Sequence, residues 1–201
     1  MADDVVHQSI SRSVGEYLDR LDAAGTATNL AYLVPHGLLR ALTIGFGDGV
    51  ASPAEVARMQ EILAQGMREG AVGLSTGLTY TPAMYADDAE LAALMRTTGE
   101  LGGYFSPHHR SYGAGAMEAY AEMIDLSRRT GCPLHLAHAT LNFGPNKGRA
   151  PELLALLDDA VLTADTVLGR GTTVIDNEDG SLRDYLESLR RLQGLGDRRV
   201  L

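Results

Sequence analysis

The sequence predicts an α/β fold built on a parallel sheet, and three observations carry that prediction. Short apolar runs and amphipathic runs alternate four times from Thr28 to Ala160, at a spacing near thirty residues. That is the length of a strand plus a helix crossing back over the sheet. Two of the apolar runs, Tyr104–Arg110 (Y-F-S-P-H-H-R) and Pro133–His138 (P-L-H-L-A-H), deliver histidines at their ends, and the rim at the C-terminal ends of parallel strands is where sites form. Each amphipathic run also carries its own start and stop residues. A complete (β/α)8 TIM barrel takes roughly 250 residues. The alternating segment therefore reads as a partial barrel, followed by a C-terminal α/β segment whose packing against it the sequence does not specify.

The elements follow in order. Ser13 and Glu16 have capping-box spacing ahead of Tyr17, Leu18 and Leu21 on one helical face, and Gly25 is a stop. Thr28–Val34 (T-N-L-A-Y-L-V) has strand length and leads into Pro35-His36-Gly37, which sets His36 at a strand end. The glycine-rich stretch 43–51 reads as a loop; no helix start follows its glycines directly, as a phosphate loop requires. Ser52, Pro53 and Glu55 open a helix whose buried face is Val56, Met59, Leu63 and Met67, with Gly70 closing it. Ala71–Ser75 is the next strand and opens into a loop holding Tyr80, Pro82 and Tyr85. Asp87 and Glu90 repeat the capping arrangement for a helix to about Glu100, with Leu91, Leu94 and Met95 inward. After the first histidine strand, a helix from Ala116 to Thr130 buries Met117, Tyr120, Met123 and Ile124, and Gly131 ends it. The second histidine strand follows, and Pro151 starts a helix carrying Leu153, Leu154, Leu156 and Leu157.

Composition narrows the function classes. A net charge of −9, a single lysine (Lys147) and the lack of a basic cluster exclude a surface that tracks nucleic-acid phosphates. The lone Cys132 excludes an intrachain disulfide, the N-terminus lacks signal-peptide character, and no apolar run reaches the ~20 residues that span a bilayer. A reduced, cytoplasmic protein with no membrane partner is the expectation.

Neutral imidazoles from different strands suit Zn²⁺, which polarises a carbonyl and makes an attacking water acidic. By spacing alone, His108 and His138 stand equally as metal ligands and as hydrogen-bonded loop residues. His36 and His109 lean toward the latter role, and His135 toward a supporting or core role.

From about Ser13 to Ala160 the chain resembles the D-aminoacylases (N-acyl-D-amino-acid deacylases) of the amidohydrolase superfamily. The residues that carry the resemblance are S-V-G-E-Y-L-D-R-L-D-A-A-G, N-L-A-Y-L-V-P-H-G-L-L-R and G-A-V-G-L-S-T-G-L-T-Y-T-P-A-M-Y-A-D, together with the two histidine strands. The resemblance implies a zinc hydrolase on a (β/α)8 barrel. It makes His108 and His138 the zinc ligands and Arg110 a neighbouring site residue. The substrate would be a small N-acylated D-amino acid, oriented by Arg110 or His36, with Tyr80 lining the pocket. The chain departs from the family in having Thr140 where a lysine commonly follows the second histidine. It also lacks counterparts of the family's early histidine-x-aspartate strand, its metal-binding cysteine and its late proton-handling aspartate; Cys132 is not that cysteine.

Beyond residue 160, V-L-T-A-D-T-V-L-G-R-G-T-T-V-I-D and E-D-G-S-L-R-D-Y-L-E-S-L-R-R-L resemble the second half of a metallo-β-lactamase-fold hydrolase. That resemblance implies a metal-binding role for Asp165, without the H-x-H-x-D-H motif. The expected division is thus 1–160, amidohydrolase-like, and 161–201, metallo-β-lactamase-like. Three functions follow: a zinc-dependent hydrolase of N-acyl-D-amino acids, a metallo-β-lactamase-fold hydrolase centred on Asp165, and a catalytically incomplete fragment that binds a partner or self-associates. A partial barrel has two open strand edges, and a homodimer is one way of pairing them.

Overall fold

The computed structural model describes residues 13–157. Its centre is a parallel sheet in the order β1 (Leu33–Pro35), β2 (Gly73–Gly77), β3 (Tyr104–His108). The register pairs Leu33 with Gly73 on one side of β2, and Gly73 with Tyr104 through Gly77 with His108 on the other. The second histidine run lies beside β3 as a single parallel bridge, Phe105 to Leu134. Its backbone bonds continue as His135 N–H to Phe105 O (2.8 Å) and Ala137 N–H to Pro107 O (3.3 Å). Three strands and this bridged segment fit the expected α/β class.

Sequence signals account for the helices. In α1 (Val14–Ala24), the Ser13 hydroxyl accepts the Glu16 N–H, and Gly25 follows at φ 74. The helix α3 (Pro53–Arg68) has a complete capping box between Ser52 and Glu55, while α4 (Asp88–Glu100) is capped by Asp87. The helix α5 (Ala116–Thr130) ends at Gly131 in the left-handed region, where a glycine has no steric cost. The helix α6 (Ala150–Leu156) begins with Pro151 in its first turn. Among the described residues no helix is long and apolar enough to cross a membrane.

Two elements differ from expectation. Thr28–Val34 was expected as a strand, yet the strand is only Leu33–Pro35, and a helix, α2 (His36–Thr43), starts immediately after it. Leu39 and Arg40 bury on the inner side of α2 while Leu38 and Leu42 stay exposed. The strand expected at Ala71–Ser75 lies two residues later, because Ala71 N–H still turns back to Gly66 O and Gly103 N–H to Thr98 O, and the ladder with β3 begins only at Gly73 opposite Tyr104.

Side chains alternate across the strands. Leu74 and Phe105 face the helices and join Leu39, Met59, Leu63, Leu91, Leu94, Met95, Tyr120, Met123 and Leu126 in one core. The opposite face, bearing Ser75, Gly77, Tyr104 and His108, is only partly covered by the described residues. Gly73 belongs to that face, and a Cβ there would stand 2.1 Å from the Tyr104 carbonyl oxygen. Residues expected to form the 161–201 segment, Asp165 among them, lie outside the described residues.

Candidate metal centre

The end of β3 and the bridged segment bring His108 and His138 together with their rings edge to face, centroids 5.1 Å apart. Two imidazoles on one tetrahedral zinc, with Zn–N of ~2.0–2.1 Å, have centroids roughly 5 Å apart, so this spacing suits a shared metal. Burial, followed by the neighbouring His138, pushes the His108 pKa below its ordinary value. That favours the neutral ring which a metal ligand requires. The count of donors is smaller than a catalytic zinc takes. Among the described residues no group of three or more His, Cys, Asp or Glu side chains could hold a metal. Cys132 is buried, and burial pushes its thiol up to about 11; it does not offer a ready thiolate.

Aromatic rings surround the pair. Tyr112 lies 4.7 Å from His108 and 5.8 Å from His138, centroid to centroid. Tyr80, mostly exposed at the head of the loop after β2, lies 5.1 Å from His108. A glycine at 77 permits this, since a Cβ there would stand 2.6 Å from Tyr80 Cδ2. The structure therefore brings Tyr80, His108 and His138 to one rim, three of the residues singled out in the sequence.

Arg110 and His36 are held by hydrogen bonds within the protein. Arg110 was expected to orient substrate. Its Nε instead donates to Glu122 (2.9 Å), and its Nη atoms donate to the carbonyls of Met84 (3.2 Å) and Ala86 (2.7 Å). It clamps the loop that carries Tyr80 onto α5. His36 was expected to do likewise. It does follow a strand end, but it is wholly buried: Nε2 donates to Glu90 Oε1 (2.6 Å) and Nδ1 lies 2.8 Å from Thr76 Oγ1. With both ring nitrogens engaged, His36 presents none to a substrate. Glu90 also accepts from Arg40 Nη1, and Arg40 Nη2 reaches Gly49 O (2.7 Å). Burial would raise the Glu90 pKa, but hydrogen bonds and charge from His36 and Arg40 outweigh it and hold the carboxyl below its ordinary value.

Three residues of the site were not legible as such. His109, expected as a surface or loop histidine, is fully buried between the rings of Tyr112 and Tyr120, each 4.1 Å away by centroids. Neither ring nitrogen makes a hydrogen bond of good geometry, and burial, with smaller effects from His108 and His138 and against an opposing effect of the Ser111 backbone, brings its pKa down to about 4. Tyr120, correctly placed on the buried face of α5, also donates its hydroxyl to the carbonyls of His138 (3.2 Å) and Thr140 (2.8 Å). Tyr112 gave no signal beyond its aromatic ring. His135 shares the face of His108 by register, within 3.2 Å of Ser106 Oγ through Nδ1.

Comparison with known proteins gives the family. The chain is 33% identical over 153 residues to D-aminoacylase of Alcaligenes xylosoxydans xylosoxydans, a match covering 76% of this chain and 32% of the relative. It is 35% identical over 144 residues to the N-acyl-D-glutamate deacylase of the same organism, covering 72% and 30%. Among solved structures, D-aminoacylase superposes with a TM-score of 0.70 at 29% identity. The N-acyl-D-glutamate deacylase of Bordetella bronchiseptica, complexed with zinc and a phosphonate mimic of the tetrahedral intermediate, gives 0.71 at 32%. Both superpositions cover 76% of this chain and 33% of the other. The chain thus spans about a third of the length of the relatives it matches. None of these relatives is a metallo-β-lactamase, and nothing in the comparison supports that reading of the C-terminal segment. The model of the Amidohydrolase family matches residues 6–193, across the junction near residue 160, and the chain belongs to that family.

Proposed function

We propose that the chain is the histidine-bearing arc of a zinc-dependent amidohydrolase barrel that cleaves the amide bond of N-acyl-D-amino acids. The edge-to-face His108–His138 pair at the ends of adjacent parallel segments carries this reading. The names of the relatives supply the substrate class. His108 and His138 would hold zinc; the further donors that a catalytic zinc needs would come from outside residues 13–157. When bound, zinc supplies Lewis acidity to the scissile carbonyl and lowers the pKa of water. The chain's own residues shape the space around it. Tyr80 offers an exposed ring beside His108, and Arg110 fixes the loop that carries it.

Elemental mass spectrometry of purified protein tests the metal assignment. Zinc in the parent and none in the His108→Ala, His138→Ala double variant is expected, and equal zinc in both would overturn it. Hydrolysis of N-acetyl-D-amino acids by the zinc-loaded chain, with N-acetyl-L-amino acids as the contrast, tests the substrate class. No release of free amino acid from either would refute hydrolysis by this chain.

Self-association is a second reading. It is favoured by the exposure of Leu42, Phe46 and Val50, at 63%, 72% and 63%, along α2 and the loop after it. Light scattering that shows only monomers would reject it.

A further inference from the structure

A buried stack of rings joins the two histidine-bearing segments from behind. Tyr120, from α5, packs on His109, and His109 packs on Tyr112, at 4.1 Å between centroids in each case. The stack touches both members of the rim pair, since Tyr112 meets His108 and His138, and the Tyr120 hydroxyl holds the backbone of His138 and Thr140. The loop that carries Tyr112 is itself fastened. Asn146, nearly fully buried, donates through Nδ2 to the carbonyls of Tyr112 (3.1 Å), Gly113 (2.8 Å) and Asn142 (2.7 Å).

From this we infer that Tyr120, acting through the His109–Tyr112 stack and the His138 carbonyl, is the positioning residue that sets the separation of His108 and His138. The inference rests on the proposed metal site. Physical reasons favour it over a packing role alone. The bridged segment has one bridge where β2 and β3 have a five-residue ladder, so ladder hydrogen bonds hold His138 less firmly than His108. Tyr120 supplies the missing constraint from a helix, the most rigid neighbour available. His109 contributes a flat ring; the Ser111 backbone acts on its imidazole and the His109 backbone on the Tyr112 phenol, but neither contact meets hydrogen-bond geometry. A phenylalanine at 109 would keep the ring and remove two unsatisfied polar atoms, each of which is costly when buried.

The test compares Tyr120→Phe, which keeps the ring and removes the hydroxyl, with His109→Phe, which keeps a flat aromatic ring in the stack. In the metal-free protein, NMR contacts between the His108 and His138 ring protons should be present in the parent, retained in His109→Phe and lost in Tyr120→Phe. With cobalt(II) as the probe, Tyr120→Phe should bind about 10- to 100-fold more weakly, the range typical of residues that orient ligands, with a changed visible spectrum. His109→Phe should stay within about threefold of the parent. Unchanged ring contacts and cobalt affinity in Tyr120→Phe would overturn the inference, as would loss of both in His109→Phe. Failure of the parent to bind cobalt would reject the metal reading instead, and the ring contacts would still decide the positioning role.

Discussion

Two histidine clusters lie at the same end of the sheet and differ in how completely their polar atoms are used. Around His36, a hydroxyl, an imidazole, a carboxylate and a guanidinium form one chain of hydrogen bonds from Thr76 on β2 through Glu90 on α4 to Arg40 on α2, and all four are buried. Around His108, the contacts are between rings, and the buried polar atoms of His109 and Tyr112 are unpaired. Both clusters leave buried polar atoms without partners, Arg40 Nε in the first and the His109 ring nitrogens and Tyr112 hydroxyl in the second, but the first closes both nitrogens of its histidine ring inside the fold while the second sets partly exposed imidazoles against each other. The lesson is that the histidine count of a rim overstates its site. Of the three strand-end histidines His36, His108 and His138, the first serves the scaffold.

Breaking the closed network should therefore cost stability and leave metal binding to be judged separately. Glu90→Leu strands the buried Arg40 guanidinium and removes the His36 partner. Loss of one member of a buried ion pair costs about 3–5 kcal/mol, enough to unfold a marginal domain, and urea denaturation would measure it. The His108→Ala, His138→Ala double variant should instead change stability by less than about 1 kcal/mol, in line with substitutions outside the packed core, while abolishing zinc uptake. A double variant as damaging as Glu90→Leu would erase the distinction between the two clusters.

Acid should separate them as well. The Glu90 carboxyl is held below its ordinary value of 4.5 in the folded state. A depressed carboxyl adds stability that is fully present above the unfolded value and is lost as pH falls through the folded value. The parent should thus lose stability below about pH 4.5, and Glu90→Gln, already weaker at neutral pH, should lose less over that interval. Denaturation midpoints for the two proteins from pH 6 to pH 3 would show it; parallel curves would mean that the carboxylate does not carry the network.

The comparison also shows what a sequence can and cannot disclose. Ser52 with Glu55 and Asp87 with Glu90 have the same spacing, and both were expected to cap helices. Glu55 does reach back to the Ser52 backbone, whereas Asp87 caps alone and the Glu90 carboxylate turns inward to His36 and Arg40. Local spacing specifies the backbone bond from position 90 to Asp87; it holds no information about partners 54 and 50 residues away. The helix faces were legible for the opposite reason, because a period of 3.6 is written into adjacent residues. His108 and His138 were singled out through strand position and family resemblance, and the fold does bring their rings together. His109 was misjudged because its burial depends on Tyr112 and Tyr120, which only the fold brings to it.

The smallest expected effect probes the open side of the rim. Gly77 faces His108 across β2 and β3 in register, and a Cβ at 77 would stand 2.6 Å from Tyr80 Cδ2. What must give is the far part of a mostly exposed side chain, so Gly77→Ala should shift stability by only about 0.5 kcal/mol in either direction, as surface substitutions do. Yet it should push the Tyr80 ring off the imidazole. The His108 ring protons should change chemical shift by NMR as the Tyr80 ring current moves away, while those of His138, which meets Tyr112, should shift less. A large loss of stability without that selective shift would show that Tyr80 supports the fold, and the rim would then be as closed as the network around His36.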